Sequence, residues 1–130
     1  MNHNSLGFSS AEMVVGLLTV GVLAGAGLQG YAATRARANI VRMVDDLRNL
    51  ANSEEGYFAD HATYYGGAVP SAALAFVPSA GVTMIIDQAG PTGWSATAVT
   101  TGTRRVCKVF YGKTVGGAAP AAETQAACTR

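Results

Sequence analysis

Charge is scarce in this chain. Of 130 residues, 9 are Lys or Arg and 8 are Asp or Glu, so 13% are charged, against about 25% in an ordinary soluble domain. A formal net charge of +1 excludes a strongly basic protein lying along nucleic acid. Histidine is equally sparse. Two His and two Cys leave a zinc site short of ligands. No Asn-x-Ser/Thr sequon is present. Disorder is excluded from the other side, because 49% of the residues are hydrophobic.

The charges are also unevenly placed. After Glu12 the next charged residue is Arg35, which leaves the 22 positions 13–34 uncharged. As a helix that run would be roughly 33 Å long, close to the ~30 Å hydrocarbon core of a bilayer. The seven residues MNHNSLG ahead of it contain no Lys or Arg, a poor fit to a secretory signal, and nothing after the run reads as a cleavage site. Glu12 stands at the edge of the apolar span. It either caps the first turn with Ser9 or Ser10, at the membrane surface, or carries a function inside the span. Five glycines, Gly16, Gly21, Gly25, Gly27 and Gly30, punctuate the segment. Close helix packing through the Gly21/Gly25 pair and local unwinding over 25–30 are both open readings.

Beyond the run the pattern becomes amphipathic. Ile40, Met43, Val44, Leu47, Leu50 and Ala51 recur at spacings of three and four, which predicts a core-facing stripe on a continued helix over 35–59. Arg42 and Asp46 are spaced as an exposed i,i+4 pair, and the neighbours Asp45/Asp46 and Glu54/Glu55 read as a solvated face. Gly56 and the stretch 60–70 mark the helix end. Strands are predicted at 82–87, 94–100 and 104–111, with a turn at 90–93. The Gly- and Ala-rich stretch 112–130 reads as loop. With no acid pair in a known motif and no phosphate-binding loop, the sequence predicts a protein that is not an enzyme and has no cofactor or metal.

The string Gly7, Phe8, Ser9, Ser10, Ala11, Glu12, followed by a long apolar helix, resembles the processing site of type IV pilins and pseudopilins. The likeness extends over leader, helix, helical continuation, sheet region and C-terminal cysteine pair. It implies that residues 1–7 are a leader removed by a prepilin peptidase, that cleavage falls between Gly7 and Phe8, that Phe8 becomes N-methylated, and that Glu12 is the assembly acid. Its physical rationale is that Glu12 of one subunit can neutralise the new amine of its neighbour. The sequence departs from the family where Ser9 and Ser10 replace a Thr and a large aliphatic, where Gln29 stands near a frequent proline, and in the leader, which has no basic residue.

The arginines at 35, 37 and 42 would by the positive-inside tendency put the C-terminal part in the cytoplasm, whereas the resemblance puts it outside. The cysteines arbitrate. Cys107 and Cys128, outside the cytoplasm, are most simply a disulfide, with free thiols or half a metal site as alternatives.

The expected fold is α+β. A long N-terminal helix, apolar over 8–34 and amphipathic over 35–59, packs on an antiparallel sheet of three or four strands, and residues 60–130 hold the connecting loop, the sheet and a disulfide-closed C-terminal loop. The expected function is that of a filament subunit for adhesion, motility or DNA uptake. Its partners would be copies of itself, membrane lipid before assembly, prepilin peptidase and the inner-membrane assembly machinery. The final location would be the cell surface. A secretion pseudopilin and a minor pilin binding DNA or a surface ligand are the alternatives. Residues 38–103 carry a net −4 and 104–130 a net +4, which suggests that these regions meet between neighbouring subunits.

Overall fold

A computed structural model describes residues 9–113 and 125–129, without the side chains of 20–29. It divides into two compact units, Met1–Arg35 and Ala36–Arg130. One helix, α1 (Ser10–His61, 52 residues), contributes to both. Its backbone stays α-helical through 25–30, so the glycines there do not unwind it. Among the described residues no helix is long and apolar enough to cross a membrane. The middle of the uncharged run, 20–29, lies outside the described side chains.

In the second unit α1 buries Met43, Leu47 and Leu50 completely, with Ile40, Val44 and Ala51 partly covered beside them. Those are the positions that the spacing of three and four selects. The helix runs two residues past the expected 59 and ends where Ala62 turns into the left-handed region, φ 55°. Glycine normally occupies that position because it has no Cβ to strain.

A loop over 62–81 with one short 3-10 turn, Ala72–Leu74, leads to the sheet. Strands β1 (Val82–Gly90), β2 (Gly93–Thr100), β3 (Cys107–Gly112) and β4 (Ala127–Cys128) form an antiparallel sheet in the order β1-β2-β3-β4. The turn at 90–93 is as expected. The register breaks between Ile86 and Gln88, a bulge at Asp87 in the edge strand. Met84, Trp94, Ala96, Ala98, Cys107 and Val109 share one buried cluster with the helix stripe. Ala96 and Ala98, small residues on the inner strand β2, share that cluster with the large Met43, Leu47 and Leu50.

Two local expectations are corrected. The stretch after Gly112 is not loop throughout: Ala127 and Cys128 pair with Lys108 and Cys107 as a fourth strand. β3 begins at Cys107 rather than at 104.

Candidate functional site

The N-terminus of α1 is built by its own sequence. Glu12 N–H donates to Ser9 Oγ at 3.4 Å, and Ser9 N–H donates to Glu12 Oε2 at 2.9 Å. This is a capping box: a serine at the cap and an acid three residues on satisfy each other's backbone donors. Glu12 therefore has a local partner in the single chain, and its carboxylate sits where the helix dipole favours it. Gly7 and Phe8, the expected cleavage pair, lie outside the described residues.

Past the cap the helix exposes apolar side chains: Met13 at 64%, Val14 at 56%, Val15 at 61%, Leu17 at 74% and Leu18 at 65%. At roughly 100° per residue these five spread around more than half of the helix, too wide for a stripe against one core. The two threonines at 19 and 34 bond their own helix. Thr19 Oγ1 bonds the carbonyls of Val15 and Gly16 at 3.1 and 2.9 Å, and Thr34 Oγ1 bonds that of Gly30 at 2.9 Å. A hydroxyl satisfied by its own helix can enter an apolar medium without an unpaired donor.

In the second unit the acids do something the sequence did not suggest. Asp46 is buried, and its carboxylate accepts from Ser79 N–H at 2.9 Å and Ser79 Oγ at 2.8 Å. It is therefore not the exposed partner of Arg42. Glu54, expected on a solvated face, has 0% exposure, and its Oε2 accepts from Tyr65 N–H at 2.8 Å. Its Oε1 is buried without a partner. Burial, opposed by the Tyr65 bond and helped by the charge of Glu55, pushes the Glu54 carboxyl from its ordinary 4.5 up to about 7. Glu55 accepts from Tyr64 Oη at 3.0 Å. Burial, and then that bond, push the Tyr64 phenol upward.

Three carboxylates of α1 thus hold the 62–81 loop, Glu54 and Glu55 at its start and Asp46 near its end. The missed signal was positional. Glu54 follows Leu50 by four, continuing the buried 43, 47, 50 series, so its place on the helix is a core place.

Cys107 and Cys128 form the expected disulfide, and no free cysteine remains. Thr129 reinforces it: its N–H donates to the Val106 carbonyl at 2.9 Å, and Val106 N–H donates to its Oγ1 at 3.1 Å. Arg104, Arg105 and Lys113 are exposed and Lys108 is half-buried, while Glu123 and Arg130 lie outside the described residues. With Asp46 and Glu54 withdrawn from the surface, the exposed charge of 38–103 falls to −2 (Arg42 and Arg48 against Asp45, Glu55, Asp60 and Asp87), which weakens the complementarity expected from sequence.

A cavity of about 340 Å³ lies between α1 and β3, lined by Arg48, Asn52, Glu55, Trp94 and Tyr111 among others. The buried indole N–H of Trp94 has no partner. Among the described residues no group of three or more His, Cys, Asp or Glu could hold a metal. No protein-family model matches this chain, and no curated protein matches it in sequence.

Proposed function

We propose that this protein is a structural subunit of a type IV pilus-like filament, assembling through the N-terminal half of α1. The observation that carries the reading is the apolar helix of the first unit, whose side chains at 13–18 are exposed around more than half of its circumference while its threonine hydroxyls bond their own backbone. Such a surface gains by leaving water for lipid or for copies of itself, since contiguous exposed apolar surface marks an interaction site. Repeating one heterologous contact gives an open helical assembly. The disulfide in the second unit suits a location outside the cytoplasm.

In this reading residues 8–34 rest in the inner membrane before assembly, and prepilin peptidase cuts there between Gly7 and Phe8. The capping box defines how Glu12 waits. Its carboxylate, held by Ser9 N–H in the monomer, exchanges that bond for the amine of a neighbour's Phe8 during assembly, which replaces a neutral donor by a cation. The role is structural rather than catalytic.

Mass spectrometry of filaments sheared from the cell surface tests the proposal. An abundant N-terminal peptide beginning at N-methylated Phe8 is the expected result. An intact Met1 on a protein that stays with the membrane fraction would overturn it.

A further inference from the structure

Glu54 is the one fully buried acid of the described chain with an unpartnered oxygen. Its other oxygen holds Tyr65 N–H, and the segment above it is a small aromatic lid. Tyr64, buried, stacks on Phe58 at 4.6 Å and meets the edge of Tyr111 at 5.7 Å. Its N–H donates to the Gly90 carbonyl at 3.3 Å and its Oη to Glu55. Tyr65 meets Tyr57 edge to face at 5.4 Å. The ionisable groups of this network are Glu55, Tyr57 and His61 on α1, the last stacked on Tyr57 at 3.9 Å, Tyr64 and Tyr65 on the loop, and Tyr111 on β3. Among the described residues no Lys, Arg or His pairs with Glu54.

An ionised carboxylate in that place has one hydrogen bond, an Oε1 buried without a protein partner, and a second acid next to it. Those are conditions under which a buried charge is costly. Outward displacement of Tyr65, whose amide is bonded to it, would let water in while the sheet and the helix stripe stay packed. We propose that Glu54 is a proton-operated latch for the start of the loop: while it holds its proton the segment at Tyr64 and Tyr65 stays closed, and when it ionises that segment opens to admit water. The latch does not depend on the filament reading.

The direction follows from linkage. The closed form binds the proton more tightly than the open form, in which Glu54 is solvated and ordinary, so acid favours closure and opening grows as pH rises toward and through 7. Taking 4.5 for the open form and about 7 for the closed form, the opening constant rises about 30-fold between about pH 5.5 and 8.5.

Hydrogen exchange on the full chain in mild detergent, corrected for intrinsic rates, measures this opening. Protection of the Tyr64 and Tyr65 amides should fall about 30-fold over that range and stay well below that of Ala96 on the inner strand β2, which marks the opening as local rather than global. Glu54→Gln should make the Tyr64 and Tyr65 protection independent of pH. Unchanged protection in the wild type, or the same fall in Glu54→Gln, would overturn the latch. Should Glu54→Gln fail to fold, carbon-13 titration of the wild-type Glu54 carboxyl decides: a midpoint near 7 supports the latch and one near 4.5 refutes it.

Discussion

Replacing Asp46 by Ala tests whether buried acids of α1 anchor the loop. The wild-type carboxylate is 4% exposed and takes two hydrogen bonds from one residue 33 positions away, Ser79 N–H at 2.9 Å and Ser79 Oγ at 2.8 Å. A hydrogen bond to a charged group contributes about 1.5–3 kcal/mol. Losing two, while also losing a buried charge whose desolvation was unfavourable, leaves a net cost of about 3 kcal/mol. Ser79→Ala removes only the hydroxyl bond and should cost about 1.5 kcal/mol. In the double variant the serine change has little left to remove, so the coupling energy should be about 1.5 kcal/mol. Urea unfolding of the full chain in detergent, followed by fluorescence of Trp94, reads all three. Trp94 is the only tryptophan and is 1% exposed in the core, so its emission reports the packing concerned. A coupling energy within about 0.5 kcal/mol of zero would refute the anchor, and Arg42→Ala, which touches neither bond, should leave stability nearly unchanged.

Four further outcomes are expected in the same assay. Ala62→Gly relieves the left-handed backbone at the helix end, φ 55°, and should stabilise by about 0.5–1 kcal/mol. Gly112→Ala should destabilise by at least ~1 kcal/mol, because φ is 67° there and a Cβ would run into the Thr92 carbonyl. Reducing the Cys107–Cys128 bond, or replacing both residues by Ser, should cost roughly 3 kcal/mol by loop-closure entropy and release β4 from exchange protection. Because the Glu54 carboxyl is raised from 4.5 to about 7 in the fold, its protonated form adds stability that is fully present below about pH 4.5 and is lost as pH rises through about 7. The loss is at most roughly 3 kcal/mol, and a denaturation midpoint that does not fall between about pH 5 and 8 would contradict it.

Periodicity carried the helix and the sheet. The stripe Met43, Leu47, Leu50 and the β-rich runs around 82–87 and 94–100 could be read because burial is written into them as apolar side chains at spacings of 3.6 and 2. What could not be read was burial written as acid. Asp46 and Glu54 sit on the inward side of α1, yet charge is ordinarily taken as a mark of the surface. Only partners remote in sequence, Ser79 and Tyr65, make the interior habitable for them. β4 was missed for a similar reason. Two residues have no period, and the ladder that defines them is held by a disulfide and by Thr129 rather than by propensity. The Ser9/Glu12 box was legible as one of two readings, because a capping box is local and a serine three residues before an acid is its signature.

The same physics runs through both units with opposite outcomes. In the first, the uncharged stretch exposes the apolar side chains at 13–18 and bonds the Thr19 and Thr34 hydroxyls to its own backbone, which suits those groups to an apolar medium. In the second, a chain already short of charge withdraws two of its eight acids from water and uses them to fasten a loop. An apolar residue at 54 would pack on the stripe just as well, but it could not hold the Tyr65 amide. Nor would it lose its fit when the pH rises. The acid at that position therefore exchanges some stability near neutrality for an attachment whose strength depends on a proton.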